Sequence, residues 1–127
     1  MSSPVIPVET SGPRPGGHYS HIIKAGNLYF ISGQLPITAD GKPAESASPE
    51  EQAELCLKNM KRLIDDAGLG LENVAKTTVY ISDVELWPRV NAVYAKFFGD
   101  HRPARAIVPV KKLHFGLDVE IEAILVE

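Results

Sequence analysis

The chain has 127 residues, of which 44% are hydrophobic and 23% charged, and its formal net charge is −3. This length and composition favour one soluble globular domain with a single core. The acidic balance excludes long-range attraction to nucleic acid or to an anionic membrane surface. No apolar stretch approaches the ~20 residues of a membrane-spanning helix, and no signal peptide is recognisable, so we expect a cytoplasmic protein without a membrane partner.

The first residues are rich in proline, serine and glycine. We expect residues 1–17 to form an extended segment without regular structure, followed by a single domain over residues 18–127. Two short apolar runs, residues 18–24 and 28–32, are separated by the turn residues Gly26-Asn27 and predict a β-hairpin.

A helix is predicted after a polar loop over residues 36–47. Ser48 is suited to the N-cap, Pro49 to the first helical position, and Glu51 completes a capping box. Steps of four and three residues then place five apolar side chains on one helix face: Ala53, Leu57, Met60, Ile64 and Ala67. Gly68 is suited to end this helix. Cys56 lies within it and excludes an internal disulfide, being the only cysteine; we expect a core or subunit-contact residue.

The second half of the chain predicts a strand over residues 74–82, a helix over residues 83–98, and two further β-rich segments. Pro88 belongs in the first turn of the second helix, because it would break the helix at any later position. The order is therefore ββαβαββ, an α+β fold with both helices on one face of a mixed sheet. The uncovered face also carries apolar residues, which predicts oligomerisation into a closed ring.

Charged side chains in the two last strands are the candidates for chemistry. Arg105 stands among small and apolar residues, where a guanidinium needs an anion, either a bound carboxylate or a glutamate on the neighbouring strand. Glu120 lies in an alternating run on a second strand and is suited to acid–base work. Glu122 has the same strand parity as Glu120, so the alternative to a catalytic role is that one of the two faces solvent while a strand irregularity separates them.

The other polar residues give weaker indications. The basic pairs Lys61-Arg62 and Lys111-Lys112 are typical of solvated surface, and Trp87 of packing near a helix start. His18 and His21 are three apart in an extended segment and would point to opposite faces. Since no compact set of ligand residues occurs, we predict no metal site.

Several blocks, in this order, carry a family resemblance. They are Tyr19-Ser20, Gly26-Asn27-Leu28, Ile31-Ser32-Gly33-Gln34-Leu35-Pro36, Val74-Ala75-Lys76-Thr77-Thr78-Val79-Tyr80, Val90-Asn91-Ala92-Val93-Tyr94, Phe97-Phe98, Arg102-Pro103-Ala104-Arg105 and Val119-Glu120-Ile121-Glu122-Ala123. With them, the chain resembles the RidA (YjgF-type) family of reactive-intermediate deaminases, which are similar in fold to the trimeric chorismate mutases.

The resemblance implies a homotrimer that hydrolyses enamines and imines such as 2-aminoacrylate to 2-oxo acids and ammonia, in clefts between subunits and without a cofactor. It places a carboxylate clamp on Arg105, assisted by the backbone N–H of Ile107, and a proton-transferring carboxylate on Glu120. Ser32 is then suited to hydrogen-bond the substrate nitrogen or the water. The resemblance places three further residues along the same cleft: Tyr19, Gly33 and Asn91.

The chain also departs from the family pattern. Ile107 replaces a common cysteine, and Pro109 confines its strand position to an edge or a bulge. His18, His21 and His114 replace other residues near the pocket mouth, which makes a larger or more anionic substrate of the 2-aminomuconate type an alternative. A trimer that binds small carboxylates without turnover is a second alternative. An older family label, ribonuclease or translation inhibitor, is disfavoured by the acidic balance and the lack of a basic, aromatic face.

Overall fold

The computed structural model describes residues 4–127. In chain order its elements are β1 (Val5–Pro7), β2 (Ile22–Ala25), β3 (Leu28–Gln34), α1 (Pro49–Asp66), β4 (Val74–Ile81), α2 (Trp87–Phe98), β5 (Ala104–Pro109) and β6 (Val119–Val126). Single 3₁₀ turns cover Leu71–Asn73, Val84–Leu86 and His114–Gly116. Among the described residues, no helix is long and apolar enough to cross a membrane.

All six strands form one mixed sheet in the order β1-β2-β3-β6-β4-β5. The β4–β5 pair is parallel, and the other neighbouring pairs are antiparallel. This arrangement confirms the predicted α+β fold with the order ββαβαββ over residues 18–127. The last strand, β6, lies inside the sheet between β3 and β4, while β5 forms an edge.

The N-terminal segment differs from the prediction. Val5–Pro7 is not irregular but pairs with β2 as an edge strand, with Pro7 opposite Ile23. Prolines suggested a loop, yet an edge strand tolerates a residue that donates no ladder hydrogen bond. Farther along, the backbone N–H and hydroxyl of Ser11 both donate to Asp66 at the end of α1, at 2.8 and 2.9 Å. The segment is therefore attached to the domain at two places.

Helix α1 begins as its sequence predicts. The Ser48 hydroxyl accepts from the Glu51 N–H at 3.2 Å, and the Glu51 carboxylate accepts from the Ser48 N–H at 3.4 Å, which completes the capping box. Gly68 follows the helix with a φ of +75°, a conformation that favours glycine. Cys56 is fully buried, and burial raises the pKa of its thiol well above the usual range, so this thiol is unreactive core.

Helix α2 is preceded by a 3₁₀ turn and carries Pro88 in its first turn, as predicted. Its buried positions are Val90, Tyr94 and Phe98, whereas Phe97 is only partly buried. The apolar spacing in the sequence predicts an inner side formed by Val90, Val93, Tyr94 and Phe97, so the observed buried face is rotated slightly toward Phe98. Gly99, with a φ of +63°, ends the helix.

The two faces of the sheet differ in their cover. Both helices pack on one face against a continuous core that includes Ile22, Ile31, Val79, Ile81, Val119, Ile121 and Leu125. The other face, which we call the open face, is not covered by either helix. Three apolar side chains lie side by side on it, since Ile23 pairs with Phe30 and Phe30 pairs with Ile124.

Candidate active site

A cleft of about 850 Å³ begins on the open face and is the candidate site. Of the residues predicted for the site, four line this cleft: Tyr19, Ser32, Gly33 and Glu120. Further lining residues come from the N-terminal segment, the loop after β3 and the turn before β6: Pro13, Arg14, Gly16, Gly17, Leu35, Ile37, Gly41, His114 and Phe115. The cleft therefore lies where three irregular segments meet regular strands.

Glu120 reaches the cleft from β6, because Val119 and Ile121 on either side of it are fully buried against the helices. It pairs with Tyr80 of β4. Burial raises the pKa of the Glu120 carboxyl above its ordinary value of 4.5, the charge of Glu122 raises it further, and His114 opposes the shift. Glu120 thus retains a proton to higher pH than an exposed glutamate does.

Glu122 lies on the same face as Glu120 and also lines the cleft. It accepts a hydrogen bond from the Tyr80 hydroxyl at 3.3 Å. The alternative of a strand irregularity between the two glutamates is not realised, because β6 pairs regularly with β4 from Val119 to Ala123. Burial and the two glutamates also raise the pKa of Tyr80. The cleft therefore holds two adjacent carboxyl groups and a phenol.

Gly33 makes room for the Glu120 carboxyl group. The pairing of β3 with β6 changes register between Ile31 and Gln34, so the backbone at Gly33 approaches β6 irregularly. A Cβ atom on Gly33 would lie 2.9 Å from Cδ of Glu120, closer than atoms normally approach. The absent side chain at this position thus allows the Glu120 carboxyl group to rest against β3.

The hydroxyl groups of Ser32 and Tyr19 already have hydrogen bonds. Ser32 Oγ donates to the backbone oxygen of Ser20 at 2.6 Å, so in this arrangement it can only accept a further hydrogen bond. The Tyr19 hydroxyl accepts from the Gly16 N–H at 3.3 Å, and the Tyr19 ring, about half exposed, meets His21 edge-on. His18 and His21 were both expected near the pocket mouth; His21 lines the cleft, whereas His18 does not.

Arg105 lies on the opposite face of the sheet from Glu120. It pairs with Thr77, which is fully buried beneath α2. Its guanidinium stacks over the rings of Trp87 and Tyr94, 4.6 and 4.9 Å from their centroids, and donates to Oδ1 of Asn91 at 2.9 Å. Helix α2 therefore supplies a platform for the arginine.

Arg105 has no structural ion pair. Among residues 4–127, no carboxylate lies within 4 Å of its guanidinium, so the alternative of a bridge to a neighbouring glutamate is not realised. The side chain is exposed rather than buried, unlike the expectation from its apolar neighbours. Most of its donors are therefore available to an anion from outside the chain.

The outer edge of β5 presents a further donor beside Arg105. Val110 donates its N–H to Ile81 of β4 at 2.8 Å, and strand residues alternate in the direction of their N–H groups. The N–H groups of Arg105 and Ile107 consequently point away from β4, toward the free edge. Pro109 occupies the next outward position, where a missing N–H costs no ladder hydrogen bond, as predicted for an edge.

The structure thus divides the predicted site residues into two sets. Tyr19, Ser32, Gly33 and Glu120 share the cleft, whereas Arg105, Asn91 and Ile107 lie at the β5 edge and are not part of it. One signal for this division was present in the sequence. The apolar Ile107 has the same strand parity as Arg105 and packs against the core, so both face the helices.

Sequence reasoning missed several residues of both sets. Trp87 was expected only to pack, yet its ring lies under Arg105, and Tyr94 was expected only in the core. Tyr80 and Glu122 in the cleft were also missed. The available signal was that Glu122, two residues from Glu120, and Tyr80, paired with Glu120, point to the same face of the sheet. Among the described residues, no group of three or more His, Cys, Asp or Glu side chains is arranged to hold a metal ion.

Fold and site together define a small α+β protein with a carboxyl-lined cleft on one side of its sheet and an accessible arginine on the other. The Endoribonuclease L-PSP family matches residues 9–127. The chain belongs to this family, the RidA group that is also named YjgF or RutC, as its sequence blocks predicted.

Relatives and solved structures agree over nearly the full length. The RutC family protein y4sK of Sinorhizobium fredii is 44% identical over 95% of this chain and 97% of the relative. Protein HMF1 of Saccharomyces cerevisiae is 39% identical over 92% and 90%, respectively. The crystal structure of yeast Mmf1 superposes with a TM-score of 0.91 at 38% identity, covering 97% of this chain and 98% of that chain. Escherichia coli TdcF with bound serine gives 0.88 at 35% identity, covering 96% and 98%.

Proposed function

We propose that this protein is a homotrimeric hydrolase that deaminates small 2-imino acids and their enamine tautomers, such as 2-aminoacrylate, in clefts between subunits. The observation that carries the proposal is the position of Arg105 and Glu120 on opposite faces of one sheet. A single chain does not present both to one small molecule. A cleft that contains both requires Arg105 of one subunit and Glu120 of the next.

The open face supports assembly of the chain with copies of itself. Ile23, Phe30 and Ile124 form an apolar row, and the Phe30 side chain is 40% exposed in the single chain. Burying such a row against a second copy is favourable, and a closed ring leaves no row uncovered. A trimer is the ring that the family resemblance implies.

Substrate binding would use the β5 edge. A planar guanidinium that stacks on two rings keeps a fixed orientation and grips a carboxylate through two parallel hydrogen bonds. The outward N–H of Ile107 adds a donor to the same carboxylate. That a family relative, TdcF, was crystallised with bound serine supports a site for small amino-acid-like carboxylates.

Glu120 would transfer the protons. With an enamine, the neutral carboxyl group donates its proton to the β-carbon, which leaves an iminium ion beside a carboxylate. The carboxylate then takes a proton from water as the water oxygen bonds to C2, and returns it to nitrogen. As the C–N bond breaks, ammonia leaves, and the hydroxyl group on C2 gives its proton to Glu120 and becomes the carbonyl group of the 2-oxo acid, which restores the neutral carboxyl group. The raised pKa of Glu120 suits both directions of transfer.

Neither RNA nor a membrane is proposed as a partner. The net charge of −3 disfavours binding to the phosphate groups of RNA. The cytoplasm stays a prediction, and one relative, the yeast protein MMF1, is named as mitochondrial.

The test is the release of pyruvate from 2-aminoacrylate that a serine dehydratase generates in situ. The wild type should accelerate release, whereas Arg105→Ala and Glu120→Gln should each leave only the spontaneous rate. Glu120→Gln should still bind a non-reactive carboxylate such as pyruvate, measured by calorimetry, while Arg105→Ala should not. If the wild type binds carboxylates without accelerating this or any other imine hydrolysis, the protein is a binding module and the proposed function is wrong.

A further inference from the structure

Arg62 lies in the same cleft as Glu120, not on a solvated surface as its pairing with Lys61 suggested. It comes from α1, which packs on the helix-covered face, whereas Glu120 stands on the open face. The cleft therefore continues past the end of β3, around Leu35 and Ile37, from one side of the sheet to the other.

The Arg62 side chain is held in place on two sides. One guanidinium nitrogen donates to Oδ1 of Asn59 at 3.1 Å, and the Asn59 amide donates to the backbone oxygens of Leu35 and Ile37 at 3.3 and 2.9 Å. The N-terminal segment passes so close that a Cβ on Gly12 would lie 2.7 Å from Cζ of Arg62. The position of this arginine is thus determined by Asn59, which is itself bound to the loop after β3, and by the N-terminal segment.

The charge of Arg62 is nonetheless uncompensated. Within residues 4–127, no carboxylate lies within 4 Å of its guanidinium, and its Nε is buried without a hydrogen-bond acceptor. Lys61, the adjacent residue, forms an ion pair with Asp65 at 2.6 Å. A part-buried cation with an unsatisfied donor is costly, and an anion in the cleft would satisfy it.

The size of the cleft also supports the binding of a second anionic group near Arg62. A three-carbon enamine would fill only a small part of about 850 Å³. The reacting carbon must lie near Glu120, so the remainder of the cleft, with apolar walls at Leu35 and Ile37 and a cation at Arg62, is open to the side chain of the substrate.

We propose that Arg62 is a specificity-determining residue that binds a second carboxylate, so that the preferred substrates are 2-imino acids with a carboxylate at the end of the side chain. This inference rests on the proposed function for the reacting end of the molecule. Arg105 would hold the carboxylate beside the imine, and Arg62 the distal one. Apolar side-chain carbons between them would lie along Leu35 and Ile37.

The kinetic test compares two imines that an amino acid oxidase generates in situ, one from glutamate and one from norleucine, a straight-chain neutral analogue. Arg62→Gln should lower kcat/KM for the glutamate-derived imine by about 10–100-fold, mainly through KM, because a hydrogen bond to a charged group is lost. The norleucine-derived imine should change by less than about threefold. Lys58→Gln, which removes a charge from the same helix outside the cleft, should change neither.

A binding test separates this inference from the proposed function. Dicarboxylates of graded length, from succinate to pimelate, are titrated by calorimetry into the wild type and Arg62→Gln. An optimum length that disappears in Arg62→Gln supports the inference even if no imine is hydrolysed. An equal loss for neutral and acidic ligands would show a structural role for Arg62, and equal affinity for mono- and dicarboxylates in the wild type would show no distal site. Either result overturns the proposal.

Discussion

The two faces of the sheet have different tasks. On the helix-covered face Val119 and Ile121 are fully buried, and the hydroxyl groups of Thr77 and Tyr94 are paired at 2.7 Å. The open face carries Glu120, Glu122 and Tyr80 beside the apolar row, with burial that is only partial. Alternation along β6 produces both faces from one segment, since consecutive residues point in opposite directions.

This comparison shows that a single chain forms a complete core but not a complete candidate site. The covered face needs nothing from outside to bury its apolar side chains. The open face leaves Glu120, whose pKa is raised, beside Glu122, and neither carboxylate forms an ion pair with the described residues, while the accessible arginine lies on the other face of the sheet. The proposed chemistry therefore depends on how copies of the chain meet.

The largest effect should come from combining two inactive variants. Arg105→Ala and Glu120→Gln should each lower kcat/KM by about 10²–10⁴-fold, because one removes the carboxylate clamp and the other the proton transfer. Refolding the two together in equal amounts should restore about a quarter of the wild-type activity, since a quarter of the interfaces in a random cyclic assembly pair the two intact residues. If the mixture stays inactive while mixed assemblies form, the two residues do not meet across an interface.

The next effect separates the faces by stability. Ile121→Ala should lower the free energy of unfolding by about 2–5 kcal/mol, because Ile121 is fully buried and its truncation leaves a cavity in the core. Ile124→Ala, three positions along β6 on the open face, should instead weaken assembly, visible as a stronger dependence of unfolding on protein concentration. Urea unfolding at several protein concentrations measures both. Equal behaviour of the two variants would contradict the division of tasks.

Gly33→Ala should impair activity without impairing the fold. The added methyl group displaces the Glu120 carboxyl, which is the flexible end of a side chain, so we expect kcat to fall by about 10–100-fold with little loss of stability. Gly16→Ala is the matched control, because Gly16 lines the same cleft but nothing lies within 4 Å of its would-be Cβ. A Gly33→Ala enzyme with normal kcat would show that the present position of the carboxyl is not required.

The smallest effect concerns pH. With an imine as substrate, Glu120 acts first as a carboxylate that takes a proton from water, so kcat/KM should rise with pH as Glu120 ionises. Because the charge of Glu122 raises the pKa of Glu120, this rise should move to lower pH in Glu122→Gln. The same imine is used for both enzymes, so its own ionisation cancels. No movement, or movement to higher pH, would show that Glu122 does not act on Glu120 electrostatically.

The same shift has a consequence for stability. A glutamate whose pKa is raised in the folded state favours folding below its unfolded value of about 4.5, and loses this contribution as the pH rises through the folded value. Glu120→Gln should therefore be more stable than the wild type at neutral pH. Thermal unfolding of the two at acidic and neutral pH measures the difference, which should vanish in acid.

Features determined by nearby residues could be predicted from the sequence. The capping box of α1 and the Gly26-Asn27 hairpin depend on hydrogen bonds and backbone conformations within a few positions. Strand β1 could not be predicted in the same way, because its pairing with β2 joins segments far apart, and its prolines suit a loop equally well.

The candidate site residues could be chosen from the sequence one by one, but their arrangement could not be predicted. The family blocks identified Arg105 and Glu120, yet their placement on opposite faces follows from which face the helices cover. The sequence predicted a solvated surface position for Arg62, because its partial burial depends on contacts that a local sequence pattern does not show. These contacts come from Gly12 in the N-terminal segment and from Asn59, which is bound to the loop after β3.

Pro109 at the outer edge of β5 has a consequence for the resistance of the protein to aggregation at high concentration. An exposed strand edge is a template on which further chains can add, which leads to fibrils and aggregates. Arg105 and Ile107 each present an outward N–H group, but Pro109 at the next outward position has none, so an incoming strand finds an interrupted row of donors. The edge that offers an amide to a small carboxylate is thereby unsuited to growth of the sheet.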